Sequence, residues 1–281
     1  MSRTVYVNGQ YLPEAEAKIS VFDRAFLFAD GVYEVSSVVD GKLVDNAAHL
    51  VRLQRSLAEL KIDFPMTNEE IEAIQIEMLA RNNLSEGVLY LQVSRGAADR
   101  DFNHPEDPEP SLVMFTQVKQ LLENPTAQRG VSVITLDDIR WGRRDIKTVQ
   151  LLAPSLAKQA AAEAGADDAW LIEDGLVTEG TSNNAWIIKS GTLITRHLSN
   201  DILHGITRRA ILRIAEEDGL KFEERPFTPE EAKQADEAFF TSASAFVMPV
   251  VKIDDQQIGN GNPGAVTCRL RELYIEEAKR S

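Results

Sequence analysis

Cysteine is almost absent from this 281-residue chain, and the single copy, Cys268, excludes both an intrachain disulfide and a zinc site built from thiolates. Cys268 itself reads as a small, partly buried apolar residue. Histidine is nearly as scarce, with four copies, none in the His-Glu-x-x-His spacing that sets two imidazoles on one helix face, so no metal site is expected. No stretch approaches the roughly 20 apolar residues of a membrane span, and the segment Met1 to Tyr6 lacks the apolar core of a secretion signal. A cytoplasmic location without membrane attachment is the expectation. Positive charge is the minority sign: 30 Lys and Arg stand against 44 Asp and Glu, a net charge of -14. Such a surface repels a phosphate backbone, so no nucleic-acid partner is expected, and an anionic ligand would need a local positive site. Internal repeats and low-complexity segments are also missing.

What remains is an ordinary apolar fraction, 43%, enough for a sizeable core. Thr4 to Val7 alternates like a strand. Val32 to Val39 is rich in β-branched residues and ends in Asp40-Gly41, a two-residue hairpin signal with Lys42 to Val44 as the return strand. Leu50, Leu53, Leu57 and Leu60 recur at helical spacing. Asn68 reads as the N-cap of a second helix that buries Ile71, Ile74 and Met78. Val88 to Arg95 and Leu112 to Gln117 read as strands around a polar, proline-bearing loop, Ala97 to Pro110, long enough to be functional. Further on come strands at Val131 to Leu136, Ala169 to Ile172, Ala185 to Lys189 and Ala238 to Thr241. Helices are expected over Pro154 to Ala164, Thr207 to Glu217 and Val266 to Ala278. Asp174-Gly175 is a turn, and Val177 to Thr181 enters a loop. This pattern predicts two α/β domains: residues 1–120, a linker over 121–130, and residues 131–281.

Three segments carry candidate chemistry. Arg140, Arg143, Arg144 and Lys147 place four cations in eight residues of an acidic chain. Such a run serves either as a solvated face or as a local anion site. Lys147 precedes the apolar Val149, Leu151 and Leu152; burial there disfavours the ammonium and yields a better nucleophile toward an aldehyde. Glu179, within Val177-Thr178-Glu179-Gly180-Thr181-Ser182-Asn183-Asn184, belongs either to a plain turn or beside a basic heteroatom such as a pyridine nitrogen. Gly205, with Thr207 as cap of the next helix, provides either ordinary capping or an anion site of free backbone N–H groups. Ser242-Ala243 follows a strand with more small and hydroxyl residues. Arg52 lies off the leucine stripe of its helix, where it is either exposed or a phosphate ligand.

Taken in order, several motifs resemble one family. They are Phe28-Ala29-Asp30-Gly31-Val32-Tyr33-Glu34, His49-Leu50-x-Arg52-Leu53, Gln92-Val93-Ser94-Arg95-Gly96, Asp138-Ile139-Arg140-Trp141, Asp145-Ile146-Lys147, Val177-Thr178-Glu179-Gly180 and Gly205-Ile206-Thr207-Arg208. The chain resembles, nearly end to end, the fold type IV pyridoxal-phosphate aminotransferases, and within them most of all the D-amino-acid branch. The resemblance implies a two-domain α/β (α+β) fold with a smaller N-terminal α/β domain and a larger C-terminal pseudo-barrel domain that binds the cofactor. It implies Lys147 as the Schiff-base lysine and proton shuttle, and Glu179 as the partner of the pyridine nitrogen. Arg52, Ile206, Thr207, Ser242 and Ala243 are implied as phosphate contacts; threonine is common in the family where Ala243 stands, so only its backbone carries over. Tyr33 and Arg100 are implied as receivers of the substrate carboxylate.

The activity so implied is pyridoxal 5'-phosphate-dependent, ping-pong transfer of the amino group of a D-amino acid, of the D-alanine or D-glutamate type. The acceptor would be a 2-oxo acid such as 2-oxoglutarate or pyruvate, and the assembly a homodimer with sites completed across the interface. Branched-chain aminotransferase, R-selective amine transaminase and aminodeoxychorismate lyase are the alternatives on the same fold. A non-catalytic cofactor-binding protein is disfavoured by the presence of both Lys147 and Glu179. One departure stands out. The D-amino-acid branch commonly shows arginine, one residue, then histidine in the first domain's loop; here the run is Arg100-Asp101-Phe102, with His104 two residues on. An apolar ring therefore replaces one carboxylate donor.

Overall fold

The computed structural model describes residues 2–280. By contacts the chain divides into two compact units, one reaching to Gln120 together with Ile146–Gln150, the other formed by Leu121–Asp145 and Leu151–Arg280. Lys147 therefore belongs to the first unit, although its position in the sequence put it in the second domain.

The first unit contains β1 (Thr4–Val7), β2 (Gln10–Pro13), α1 (Arg24–Phe28), β3 (Gly31–Val39), β4 (Lys42–Leu43), α2 (Asn46–Glu59), α3 (Asn68–Asn82), β5 (Gly87–Ser94) and β6 (Ser111–Val118). Its strands form one antiparallel sheet in the order β2-β1-β6-β5-β3-β4. The Asp40-Gly41 turn takes left-handed backbone at both residues, φ 50° and 74°, as the expected hairpin requires. Leu50, Leu53 and Leu57 of α2 and Ile71 and Met78 of α3 share a buried core with Val32, Leu89, Leu91 and Met114 of the sheet. Asn68 is the first residue of α3 and not its cap. Thr67 caps it, accepting from Glu70 N while Glu70 accepts from Thr67 N, so a capping box outcompetes the asparagine.

The segment 146–150 joins this sheet by pairing along β3. Tyr33 N donates to Lys147 O at 3.0 Å, Val149 N donates to Gly31 O at 3.0 Å, and Ile146 is buried in the first unit's core.

The second unit contains α4 (Pro125–Arg129), β7 (Val131–Asp137), α5 (Leu152–Glu163), β8 (Asp168–Glu173), β9 (Leu176–Gly180), β10 (Asn184–Lys189), β11 (Thr192–Thr195), α6 (Ile206–Glu217), β12 (Lys221–Glu224), α7 (Pro229–Lys233), β13 (Glu237–Ser242), β14 (Phe246–Ile253), β15 (Gln256–Gln257) and α8 (Ala265–Ala278). Residues 121–130, expected as a linker, thus hold a short helix and the buried Leu121. The sheet runs β12-β11-β10-β13-β14-β7-β8-β9, with β15 beside β14. Only residues 181–183 separate β9 from β10, and Gly180 N donates to Asn183 O at 2.8 Å, yet β9 ends the path and β10 lies third. The sheet must therefore curl into a half-barrel to bring its far edge back.

One expectation changes here, and one strand is new. Val177–Gly180 is strand and not loop entry, because it returns from the Asp174-Gly175 turn to pair with β8. The central strand β14 escaped sequence reading because Pro249 interrupts its hydrogen-bonding pattern. The chain accommodates that proline opposite Phe239, with a register shift just beyond it between Val250 and Lys252.

Candidate active site

In the first unit Lys147 is half-buried, with Nζ 4.2 Å from the centre of the Tyr33 ring. That ring stacks on Tyr90 at 5.5 Å. Strand alternation turns the next residue, Glu34, to the opposite face, toward α2. There the buried carboxylate meets His49 and Arg52, three residues apart on one face of the helix. Arg52 Nε and Nη2 donate to Glu34 Oε1 and Oε2, both at 2.8 Å, and His49 Nδ1 lies 2.7 Å from Oε2. Burial alone would raise the Glu34 carboxyl, but the charge and hydrogen bonds of Arg52, with His49, hold it down at about 2. Burial pushes the His49 imidazole below its ordinary value, against the pull of Glu34, so its neutral form donates from Nδ1. Arg52 is therefore neither exposed nor floppy: a two-point fork orients its guanidinium.

In the second unit Glu179 is almost fully buried near the end of β9. Its Oε1 accepts from Arg140 Nη1 at 2.5 Å; its Oε2 accepts from Asn184 Nδ2 at 2.9 Å and from Leu203 N at 3.0 Å. Arg140 is shared. Its Nε and Nη2 donate to Asp138 Oδ1 and Oδ2 at 2.9 and 2.7 Å, and Thr178 Oγ1 donates to the same Oδ2 at 2.7 Å. Burial raises the Glu179 carboxyl above its ordinary value, Arg140 being the chief opposing influence. A carboxylate offers about four acceptor directions, and these bonds occupy three, which leaves Oε1 able to take one more donor. An open acceptor direction on an oriented, buried carboxylate suits a protonated ring nitrogen.

Gly205 is the N-cap of helix α6, with no side-chain cap bond; Thr207, expected as the cap, is the helix's second residue and buried. A Cβ on Gly205 would stand 2.0 Å from Asn184 Oδ1, so close packing demands the glycine. The first amides of this helix, those of Ile206 and Thr207 included, have no partner within the helix and carry its positive dipole end, which suits a phosphate. Ser242 ends β13 and Ala243 begins the turn into β14. The turn closes on buried Phe246, held at φ 62°.

The structure gives Arg100 and Tyr33 different neighbours. Arg100, exposed, lies over the rings of Phe28 and Phe102 at 5.5 and 5.6 Å, and those rings meet edge to face. Phe102 is 80% exposed. Nor is the cationic run a solvated face. Arg140 and Arg144 are sunk in ion pairs, Arg144 with both oxygens of Glu173 at 2.7 Å. Sequence reading overlooked Glu34, His49, Asp138, Arg140 and Asn184 as members of these clusters. The one available signal was Asp138 two residues before Arg140, a spacing that lets a carboxylate fork an arginine. Among the described residues no group of three or more His, Cys, Asp or Glu could hold a metal ion, and no helix is long and apolar enough to cross a membrane.

The family model described as amino-transferase class IV matches residues 31–253. A D-alanine aminotransferase of Bacillus licheniformis is 42% identical over 267 residues, covering 95% of this chain and 94% of that protein. One from Staphylococcus haemolyticus is 40% identical, covering 97% and 98%. Among solved structures, the branched-chain aminotransferase of the thermophilic archaeon Thermoproteus uzoniensis, with norvaline, superposes with a TM-score of 0.87 at 26% identity, covering 100% of this chain and 97% of that one.

Proposed function

The chain belongs to the class IV aminotransferases, and from that membership we propose that it moves the amino group of a D-amino acid, of the D-alanine or D-glutamate type, to a 2-oxo acid such as 2-oxoglutarate or pyruvate. The observation that carries this reading is the identity of 42% and 40% to two D-alanine aminotransferases over nearly their whole length. The likeness to a branched-chain enzyme, at 26%, keeps L-branched-chain transamination as the second reading. The cofactor is pyridoxal 5'-phosphate, and the working form a cytoplasmic homodimer.

When bound, pyridoxal phosphate supplies an aldehyde carbon that takes up amino groups and a ring that withdraws electrons from the substrate carbon. The chain supplies the rest. Lys147 Nζ is the amine that tethers the cofactor and carries the proton at the substrate carbon. Glu179 holds a proton on the ring nitrogen through its remaining acceptor direction. Arg52, forked by Glu34, and the amides of Ile206 and Thr207 hold the phosphate, with the Ser242-Ala243 turn as a further contact. Tyr33 and Arg100 take the substrate carboxylate; Phe102 makes the surroundings of Arg100 apolar where relatives in the D-amino-acid branch commonly have histidine.

Borohydride reduction of the loaded protein should fix the cofactor to the peptide containing Lys147, and Lys147→Ala should abolish turnover while leaving the fold intact. Label found by mass spectrometry on Lys158 or another lysine would reject the assignment. Mixing the loaded protein with single amino donors reads specificity directly. D-alanine and D-glutamate should discharge the cofactor's visible absorbance much faster than their L-isomers; fast discharge by L-leucine, (R)-1-phenylethylamine or aminodeoxychorismate instead would move the chain to the corresponding alternative.

A further inference from the structure

The carboxylates around Arg140 outnumber the charge it can offer. The side chains of Asp138 and Glu179 are both buried, and both take hydrogen bonds from this one guanidinium. Arg144 Nη1 stands 3.6 Å from Asp138 Oδ2, but both its terminal nitrogens are committed to Glu173 at 2.7 Å. Asp138, Arg140 and Glu179 thus sum to one surplus negative charge, which a single proton on a neighbouring ligand would cancel. A purely structural pair would stop at the Asp138 fork. Here a third nitrogen, Nη1, reaches across the fold to Glu179, 39 residues away in sequence.

We propose that Arg140, clamped by Asp138, is a positioning residue: acting through Glu179, it keeps the proton of the Glu179 contact on the ligand's ring nitrogen and off the carboxylate. This rests on the reading of Glu179 as the partner of that nitrogen. A proton between a carboxylate and a pyridine-type nitrogen can reside on either side. Placing it on Glu179 would neutralise the acceptor of Arg140, Asn184 and Leu203 N, weakening three hydrogen bonds, one of them charge-to-charge. It would also leave Asp138 as the one ionised carboxylate, among the described residues, within hydrogen-bond reach of the largely buried guanidinium. With the proton on nitrogen, every one of those bonds keeps its charged acceptor. Arg140 therefore sustains the electron-withdrawing form of the ring without touching it.

The test uses protein loaded with pyridoxal 5'-phosphate labelled with 15N in the ring, compared as wild type, Arg140→Gln, Arg140→Lys and Glu179→Gln. The wild type should show the 15N shift of a protonated nitrogen, and Glu179→Gln should lose it. Arg140→Gln should move the shift in the same direction and slow the first half-reaction about tenfold or more, as expected for losing one charged hydrogen bond. Arg140→Lys, which retains the cation, should restore most of both. A wild-type shift in Arg140→Gln beside a displaced shift in Glu179→Gln overturns the role of Arg140 alone. An unchanged shift in Glu179→Gln overturns the Glu179 pairing, and the Arg140 role with it. Should Arg140→Gln fail to fold by circular dichroism, the infrared difference between cofactor-free wild type and Glu179→Gln decides. At neutral pH it should contain an ionised carboxylate band, and a protonated acid band there refutes the proposal.

Discussion

Two buried clusters use the same pair of functional groups and reach opposite results. In the first unit Glu34 takes two hydrogen bonds from Arg52 and one from a neutral histidine, and its carboxyl falls to about 2. In the second unit Glu179 shares Arg140 with Asp138, burial prevails, and its carboxyl rises. Burial opposes ionisation in both; Glu34 takes two bonds from its guanidinium, whereas Glu179 takes one and also feels the charge of Asp138. The first cluster is neutral within itself and works as a socket that holds Arg52 in place. The second carries a surplus negative charge, which the proposed cationic ligand would complete.

The most severe way to break this comparison is Glu34→Gln, which removes the counter-ion of a buried guanidinium and should cost about 3–5 kcal/mol of stability at neutral pH. The sign of its pH dependence follows from a folded carboxyl at about 2 against an ordinary value of 4.5. Its stabilisation is complete above the ordinary value and vanishes as pH falls through the folded one. Calorimetric melting of wild type and variant should therefore converge as pH drops from 4.5 toward 2. A gap that stays constant over that window would mean Glu34 stabilises by packing alone.

Glu179→Gln should act mainly on rate. At saturating cofactor it should slow turnover by roughly one to two decades, the worth of a charged hydrogen bond expressed in the transition state. It should lower the melting temperature less than Glu34→Gln does, because its carboxylate already bears an uncompensated burial cost. A larger loss of stability than of rate would erase the distinction between socket and ligand site.

The gentlest probe is Thr178→Val, which deletes the hydroxyl donated to Asp138 at 2.7 Å. About 1 kcal/mol of stability should be lost, measurable by urea unfolding, with turnover nearly unchanged because the Asp138 fork on Arg140 survives. A tenfold fall in rate would place Thr178 among the groups that set the state of Glu179.

Much of this was visible in the linear chain. The hairpin at Asp40-Gly41, the leucine stripe of α2 and the helix over 154–164 follow from backbone preference and apolar period, which act between near neighbours. Lys147 and Glu179 were picked out by their motifs. The central strand β14 was hidden by Pro249, whose cost is met by neighbouring strands far away in sequence. The caps of α3 and α6 were each misplaced by one or two residues, since a capping box and close packing on Asn184 settled the boundaries.

By itself the sequence determined many of the helices and strands, the family, and which residues were candidates for holding an anionic, aldehyde-bearing cofactor. The tertiary structure decided which of those residues are charged, oriented and paired. Glu34 meets Arg52 across 18 residues and Glu179 meets Arg140 across 39. Protonation depends on the sum of burial and nearby charges, and that sum exists only once strands and helices distant in the chain are packed together.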